Sequence, residues 1–359
     1  MPRIGHRATV NDGSTTAAAA PREGCPKRMV FGPCGGVRHD GGCELDAALP
    51  CPWVDGDERV PPWPGPAVGA RAGTLPDGML ARARESPVVL TDLSVPSFDL
   101  PALRTAAQIV APVSDAVLSG DIHHQPTFPP TFVAAELRAV GGHPWMTLTC
   151  RDRNRVVLEQ ELAGLAALGV EGVLCVTGDI RGPDVRPGVT QVFDLDATRL
   201  AHLAASTGLA ATVAITPSAP PREARVRVLA EKQRAGASLA VSNHVADPAE
   251  LDDFLRAARR LGVDLPVLGA VAVFTDEPAA DSLLAFPGLA MDPAKVAAVL
   301  DAPDPVAAGI DAAVDEAEAL LAVPGVVGVN LSGRASSAGH VEAAEIQAEI
   351  ARRVRKVER

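Results

Sequence analysis

The sequence predicts an α/β protein, a closed (β/α)8 barrel (TIM barrel) preceded by a small cysteine-rich metal-binding module. Three observations predict it. Eight short apolar runs follow one another between residues 87 and 333, amphipathic helical patterns separate them, and four of the six cysteines crowd into residues 25–51.

The runs are PVVLTDLS (87–94), DAVLSGD (115–121), PWMTLTC (144–150), GVLCVTGD (172–179), AATVAITPS (210–218), SLAVSNHV (238–245), PVLGAVAVF (266–274) and VVGVNLSG (326–333). Each is short and mostly continuous in apolar character, as expected of strands buried on both faces. Between them lie patterns such as NRVVLEQELAGLAALG (154–169), with Val157, Leu158, Leu162, Leu165 and Leu168 at helical spacing. Seven such segments and a last helix from His340 to Lys356 complete a ring of parallel strands. An open doubly wound sheet shares the alternation, but no glycine-rich dinucleotide fingerprint follows the first strand, which favours the barrel.

Residues 1–24 are polar and alanine-rich with little to bury, and are expected to be disordered. They hold no apolar core of a secretory signal, and no run of about 18 apolar residues occurs, so the expected location is cytoplasmic. Residues 25–54 carry the cysteines, 55–85 form a linker (VPPWPGPAVG at 60–69), and 86–359 form the barrel. The net charge of −11, with charges interspersed, excludes a basic face for nucleic acid or an anionic membrane.

In such a barrel the chemistry lies at the C-terminal strand ends. Those ends read Asp92, Ser119 to Asp121, Thr149 to Asn154, Thr177-Gly178-Asp179, Thr216-Pro217, Ser242-Asn243-His244 and Ser332-Gly333-Arg334. Loops facing water are polar everywhere, which accounts for Ser and Thr. It accounts less well for Asp92 and Asp179, carboxylates at strand ends where they would be partly desolvated. Within CRDRNR (150–155), Asp152 can cap the next helix and Arg151 can face an anion; an internal ion-pair knot is the competing reading. His123 and His124 follow the second strand, and solvated loop histidines are the favoured account of them.

Cys25, Cys34, Cys43 and Cys51 have the spacing C-x8-C-x8-C-x7-C, without the tight pairs of common zinc ribbons. A reducing compartment disfavours disulfides. Four thiolates suit tetrahedral Zn²⁺, and so small a module has little else to fold around. An iron–sulfur cluster, four reduced cysteines, or His39 replacing one ligand remain open.

The stretch TLTCRDRNRVVLEQELAGLAALGVEGVLCVTGD followed by QVFDLDATRL resembles the methylenetetrahydrofolate reductase family. KQRAGASLAVSNHVAD (232–247) resembles that family's lysine–AGA–glutamine segment, NLSGR (330–334) its late strand ending in arginine, and CPKRMVFGPCGGVRHDGGCELD with CPW (25–53) a small cysteine module found beside or fused to some bacterial members. The resemblance implies reduction of 5,10-methylenetetrahydrofolate to 5-methyltetrahydrofolate, a step of one-carbon metabolism leading toward methionine, with NAD(P)H and usually FAD. It places the family's proton-assisting glutamate on Asp92, its pterin-orienting aspartate on Asp179, its folate-binding glutamine on Asn243 and its late arginine on Arg334. Cofactor contacts fall on Lys232, Thr147, Thr177 and Asp194. Thr147, Thr177, Thr216 and Pro220 stand where flavin-dependent members carry histidine, arginine, tyrosine and histidine, so FAD is expected to be weak or absent. A catalytically degenerate barrel that binds folate, or assembles as a homo-oligomer or with a partner one-carbon enzyme, is the alternative.

Overall fold

The computed structural model describes residues 19–46, 48–54, 60–67, 75–121, 125–179, 188–286 and 289–357. Eight parallel strands form a closed barrel in sequence order. They are β1 (Val88–Leu93), β2 (Ala116–Ser119), β3 (Pro144–Thr149), β4 (Gly172–Val176), β5 (Ala210–Ile215), β6 (Ala237–Ser242), β7 (Val267–Ala272) and β8 (Val326–Ser332). Each falls on one of the eight apolar runs. The ring closes where β1 pairs with β8, Val88 opposite Gly328 and Leu90 opposite Asn330.

The helices are α1 (Met79–Arg82), α2 (Leu100–Val110), α3 (Pro130–Ala139), α4 (Arg155–Ala167), α5 (Ala197–Thr207), α6 (Arg222–Ala235), α7 (Pro248–Arg260), α8 (Glu277–Leu284), α9 (Pro293–Leu300), α10 (Pro305–Leu321) and α11 (His340–Val357). Local chemistry starts several of them. Asp247, Asp292 and Asp304 each accept from a first-turn N–H and are followed by proline, whose fixed φ suits the first helical position. Asn154, rather than Asp152, caps α4, by accepting from the Val157 N–H at 3.0 Å. The β7–β8 connection holds three helices where the pattern predicts one, because two of these Asp-Pro starts interrupt it. None of the described helices is long and apolar enough to cross a membrane.

Strand parity divides the core. Val89, Val117, Met146, Leu148, Val173, Val213 and Val329 point outward and pack under the helices. Val88, Leu90, Leu118, Trp145, Leu239 and Leu268 fill the barrel interior, and Met79 and Leu80 of α1 close its N-terminal end. Burial of this kind stabilises by about 25 cal/mol per Å² of apolar surface.

Two boundaries differ from the sequence reading. Residues 19–24 are anchored, because Arg22 donates to the Pro52 carbonyl and stacks 5.2 Å above the Trp53 ring. Parts of the linker are packed. Besides α1, Trp63 donates its N–H to Glu231 at 2.6 Å and lies 5.4 Å from Phe31 and 4.9 Å from His202, ring to ring. The loss of solvent-exposed ring area accounts for a proline-rich strap adhering to the barrel wall. Residues 1–18 and the loop with His123 and His124 lie outside the described residues.

Candidate functional site

A cavity of about 400 Å³ opens at the C-terminal ends of the strands, within the range of small-molecule sites. Alternation along β1 sets Val88, Leu90 and Asp92 on the inner face, so the last of them enters the cavity above an apolar floor. Burial pushes the Asp92 carboxyl up to about 6, against hydrogen bonds from Asn330, Gly333 and Ser332 that pull it down. The Asn330 amide donates to Asp92 Oδ1 at 3.2 Å. A carboxyl poised there exchanges a proton near neutral pH, which an exposed aspartate does not.

Across the mouth, the CRDRNR segment is an ion-pair knot that also walls the cavity. Buried Arg151 pairs with Asp152 at 2.9 Å and Asp121 at 3.5 Å, and donates to the Asp179 carbonyl at 3.3 Å. Thr149 and Arg153 both donate to Asp121 Oδ2. Gly178 makes the turn after β4 possible: its φ is +92°, and a Cβ there would meet Thr149 and Arg151 at 3.0–3.2 Å.

The cysteine module supplies the remaining wall. Lys27, Met29, Phe31, Cys34, Gly35 and Gly36 line the cavity beside the barrel residues. Asp196, the cap of α5, holds this segment by accepting from the Val30 and Phe31 N–H groups at 3.2 and 3.4 Å. Buried Arg225 of α6 donates to the Pro33 and Cys34 carbonyls at 3.1 and 2.5 Å. On the far side His39 contacts the Leu289 carbonyl at 3.3 Å, so it faces the barrel. Lys27 forms a buried 2.5 Å ion pair with Glu44. Burial works against its ammonium group, but Cys34, Glu44 and Asp179 outweigh that and raise its pKa.

Asp92, Asp179, Asn243, Thr147, Thr177 and Lys232 all line this one cavity. Two expected residues do not. Arg334 is exposed beyond the end of β8 and donates to the Ser337 carbonyl at 3.3 Å, because Gly333, at φ +107°, turns the chain away from the mouth. Asp194 is exposed and accepts from the Arg155 N–H at 3.2 Å, serving the start of α4. Lys232 is bonded to the Ala214 carbonyl at 2.8 Å, and burial, then Arg225, brings its pKa down to about 8. Thr177 donates to the Met29 sulfur at 3.6 Å and accepts from the Ala197 N–H, and a Cβ on Gly35 would lie 3.1 Å from Thr216. The module thus packs against two of the four positions that the resemblance sets against a flavin, Thr177 and Thr216.

Sequence reading missed Asn330 and Lys27. Parity could have found the first, since Asn330 pairs in register with inward Leu90. Nothing local marks the second, whose role depends on where the module docks.

The four cysteines are free thiols and line one void of about 10 Å³, room for a single atom-sized guest. Burial raises the thiol pKa values of Cys25 and Cys51, and that of Cys34 to about 11. Among the described residues no three His, Cys, Asp or Glu side chains stand in an arrangement that could hold a metal ion. Binding one would require the sulfurs to close on the void.

A family profile described as methylenetetrahydrofolate reductase matches residues 131–331, more than half the chain. A second, described as methylene-tetrahydrofolate reductase C terminal, matches residues 14–61. No curated protein matches the chain. Among solved structures, an uncharacterized protein from Clostridium thermocellum that binds two copies of 5-methyl-5,6,7,8-tetrahydrofolic acid has a TM-score of 0.55 at 11% identity, covering 75% of this chain and 96% of that one. Tryptophan synthase from M. tuberculosis gives 0.46 at 15% identity, with 80% and 99% covered. The tryptophan synthase α-subunit of Pyrococcus furiosus gives 0.44 at 14%, with 75% and 98% covered. At these identities the likeness is one of fold.

Proposed function

The chain belongs to the methylenetetrahydrofolate reductase family, and on that premise we propose that it binds a reduced folate in the barrel mouth and reduces the 5,10-methylene bridge to a 5-methyl group with NAD(P)H. One observation carries the reading: Asp92 places a half-buried carboxyl, with its pKa pushed up to about 6, inside the cavity. Opening the five-membered ring of the substrate requires a proton at N10 and leaves an iminium cation at N5. Asp92 delivers that proton, and the carboxylate it becomes stabilises the adjacent cation. Asn330 fixes the carboxyl. Asp179 and Asn243 hold the pterin through its amide and amine, the Arg151–Asp121 knot keeps the wall rigid, and the module excludes water. The dihydronicotinamide, when bound, supplies the hydride.

No step is assigned to a flavin. Met29 and Gly35 cover Thr177 and Thr216, and Lys232 is committed to a backbone carbonyl, which supports FAD being weak or absent. The same coverage favours a second reading, a folate-binding barrel without turnover that serves a partner one-carbon enzyme. The purified full-length protein decides between them. We expect it to be colourless and to oxidise NAD(P)H in step with formation of 5-methyltetrahydrofolate. Tight binding of 5-methyltetrahydrofolate without turnover would select the second reading, and failure to bind any reduced folate would end both.

A further inference from the structure

The cavity at the barrel mouth and the void between the cysteines share part of their wall. Lys27, Cys34 and Gly36 line both, whereas Cys25, Cys43, Glu44 and Cys51 border the void and not the cavity. Lys27 is the charged member of the shared wall. It is buried, and its ammonium group pairs at 2.5 Å with Glu44 on the side of the void. The anionic groups that act on that ammonium are Cys34 when ionised, Glu44, and Asp179 on the side of the cavity. Glu44 in turn presses on the shared wall, since a Cβ on Gly36 would collide with its carboxylate. A cation shielded from water, with a carboxylate toward each side, feels both strongly, because the attraction scales inversely with the local dielectric. Water displaced on one side therefore changes the hold on the other.

We propose that Lys27 is a positioning residue that couples the cysteine cluster to the barrel mouth, so that a ligand in the cavity and opening of the cluster oppose one another. A ligand that fills the mouth expels water beside Lys27. That strengthens its attraction to Glu44 and Asp179 and holds the wall, with the thiols behind it, closed. The coupling is reciprocal: whatever opens the cluster weakens ligand binding by the same factor. The inference rests on the folate reading for its ligand and adds to it a residue of the module that works through its neighbours.

Cys43 and Cys51 report the coupling. Both are buried and neither borders the cavity, so a reagent reaches them only when the module opens. Labelling of each cysteine by N-ethylmaleimide is followed by mass spectrometry in the full-length protein, with and without saturating 5-methyltetrahydrofolate. In the wild type the ligand is expected to slow labelling of Cys43 and Cys51 at least about fivefold. Lys27→Met combined with Glu44→Gln removes the ion pair without leaving a buried charge unpaired, and the protection is expected to fall below about twofold. Lys27→Arg should retain most of it. Saturation of every variant keeps a weakened Kd from imitating lost coupling. Should the double variant fail to fold, Lys27→Gln removes the charge while keeping a donor toward Glu44, and the same loss is expected. Protection confined to Cys34, which borders the cavity, would be shielding by contact and would overturn the proposal, as would full protection in the variants that lack the charge. Either result leaves the folate reading intact. Wild-type protein that does not bind 5-methyltetrahydrofolate would overturn the folate reading itself, and this inference with it.

Discussion

Asp92 is the residue on which the chemistry turns, and its environment sets the sign of two effects. Burial raises its carboxyl pKa from 3.8 to about 6, so the protonated acid is lost as pH rises past 6. We expect kcat/KM for methylenetetrahydrofolate to fall about tenfold per pH unit above that point, measured between pH 5.5 and 8.5. Asp92→Asn should cut turnover at least a thousandfold with little change in KM, since an amide delivers no proton to N10; a mild loss, no greater than that of Asn243→Ala, would remove Asp92 from the mechanism. Stability moves the same way with pH. The folded state binds the Asp92 proton more tightly than the unfolded chain does, so the contribution of this residue is full below pH 3.8 and is lost as pH rises through 6. At pH 7 the charged, half-buried group costs up to about 3 kcal/mol. Asp92→Asn should therefore raise the denaturation midpoint at pH 7, and that gain should vanish near pH 4.

At the scale of elements, the barrel depends on how its N-terminal end is closed. The four residues of α1 are too few to be stable alone, and Glu171, just before β4, holds them by accepting from the Met79 and Leu80 N–H groups at 2.7 and 3.1 Å. Burial raises the Glu171 pKa, although these bonds oppose it, so the carboxylate is kept for the sake of the helix start. Glu171→Ala leaves both donors without that partner and is expected to cost about 1–3 kcal/mol in urea denaturation. An unchanged midpoint would mean that α1 is held by the burial of Met79 and Leu80 alone.

At the scale of the molecule, the cysteine module and the barrel share one cavity, and Arg225 is a principal tie between them. Its guanidinium is buried, which lowers its pKa to about 10, and it donates to carbonyls of both parts. Arg225→Ala should leave the barrel folded, speed alkylation of Cys34 by a maleimide at least tenfold, and weaken folate binding; loss of neither would show that Asp196 alone suffices to dock the segment. The thiols themselves are expected to hold one zinc ion per chain, closing from the void they line. Because burial raises the pKa values of Cys25, Cys34 and Cys51, uptake must displace protons, and zinc affinity should rise with pH. Elemental analysis that finds neither zinc nor iron in freshly prepared protein would dispose of the metal.

What the sequence by itself determined is the repeating part of the protein. Eight continuous apolar runs encode strands buried on both faces, because burial leaves no solvent side to alternate with, and helical spacing between them encodes the crossovers. Reading the C-terminal strand ends then placed Asp92, Asp179 and Asn243 in the mouth, and the resemblance added Lys232. What only the tertiary structure decided is long-range. Arg334 and Asp194 lie next to site residues in sequence, yet a single turn at Gly333 and the start of α4 take them out of the cavity. Lys27 and Met29 are more than 60 residues before the barrel's second strand and nonetheless wall the site. Docking of one module on another is set by surface complementarity and by buried tethers such as Arg225 and Asp196, whose partners are backbone atoms and leave no residue pattern to read. Periodicity is a local property of the chain, whereas a cavity closed by two modules is a property of their packing.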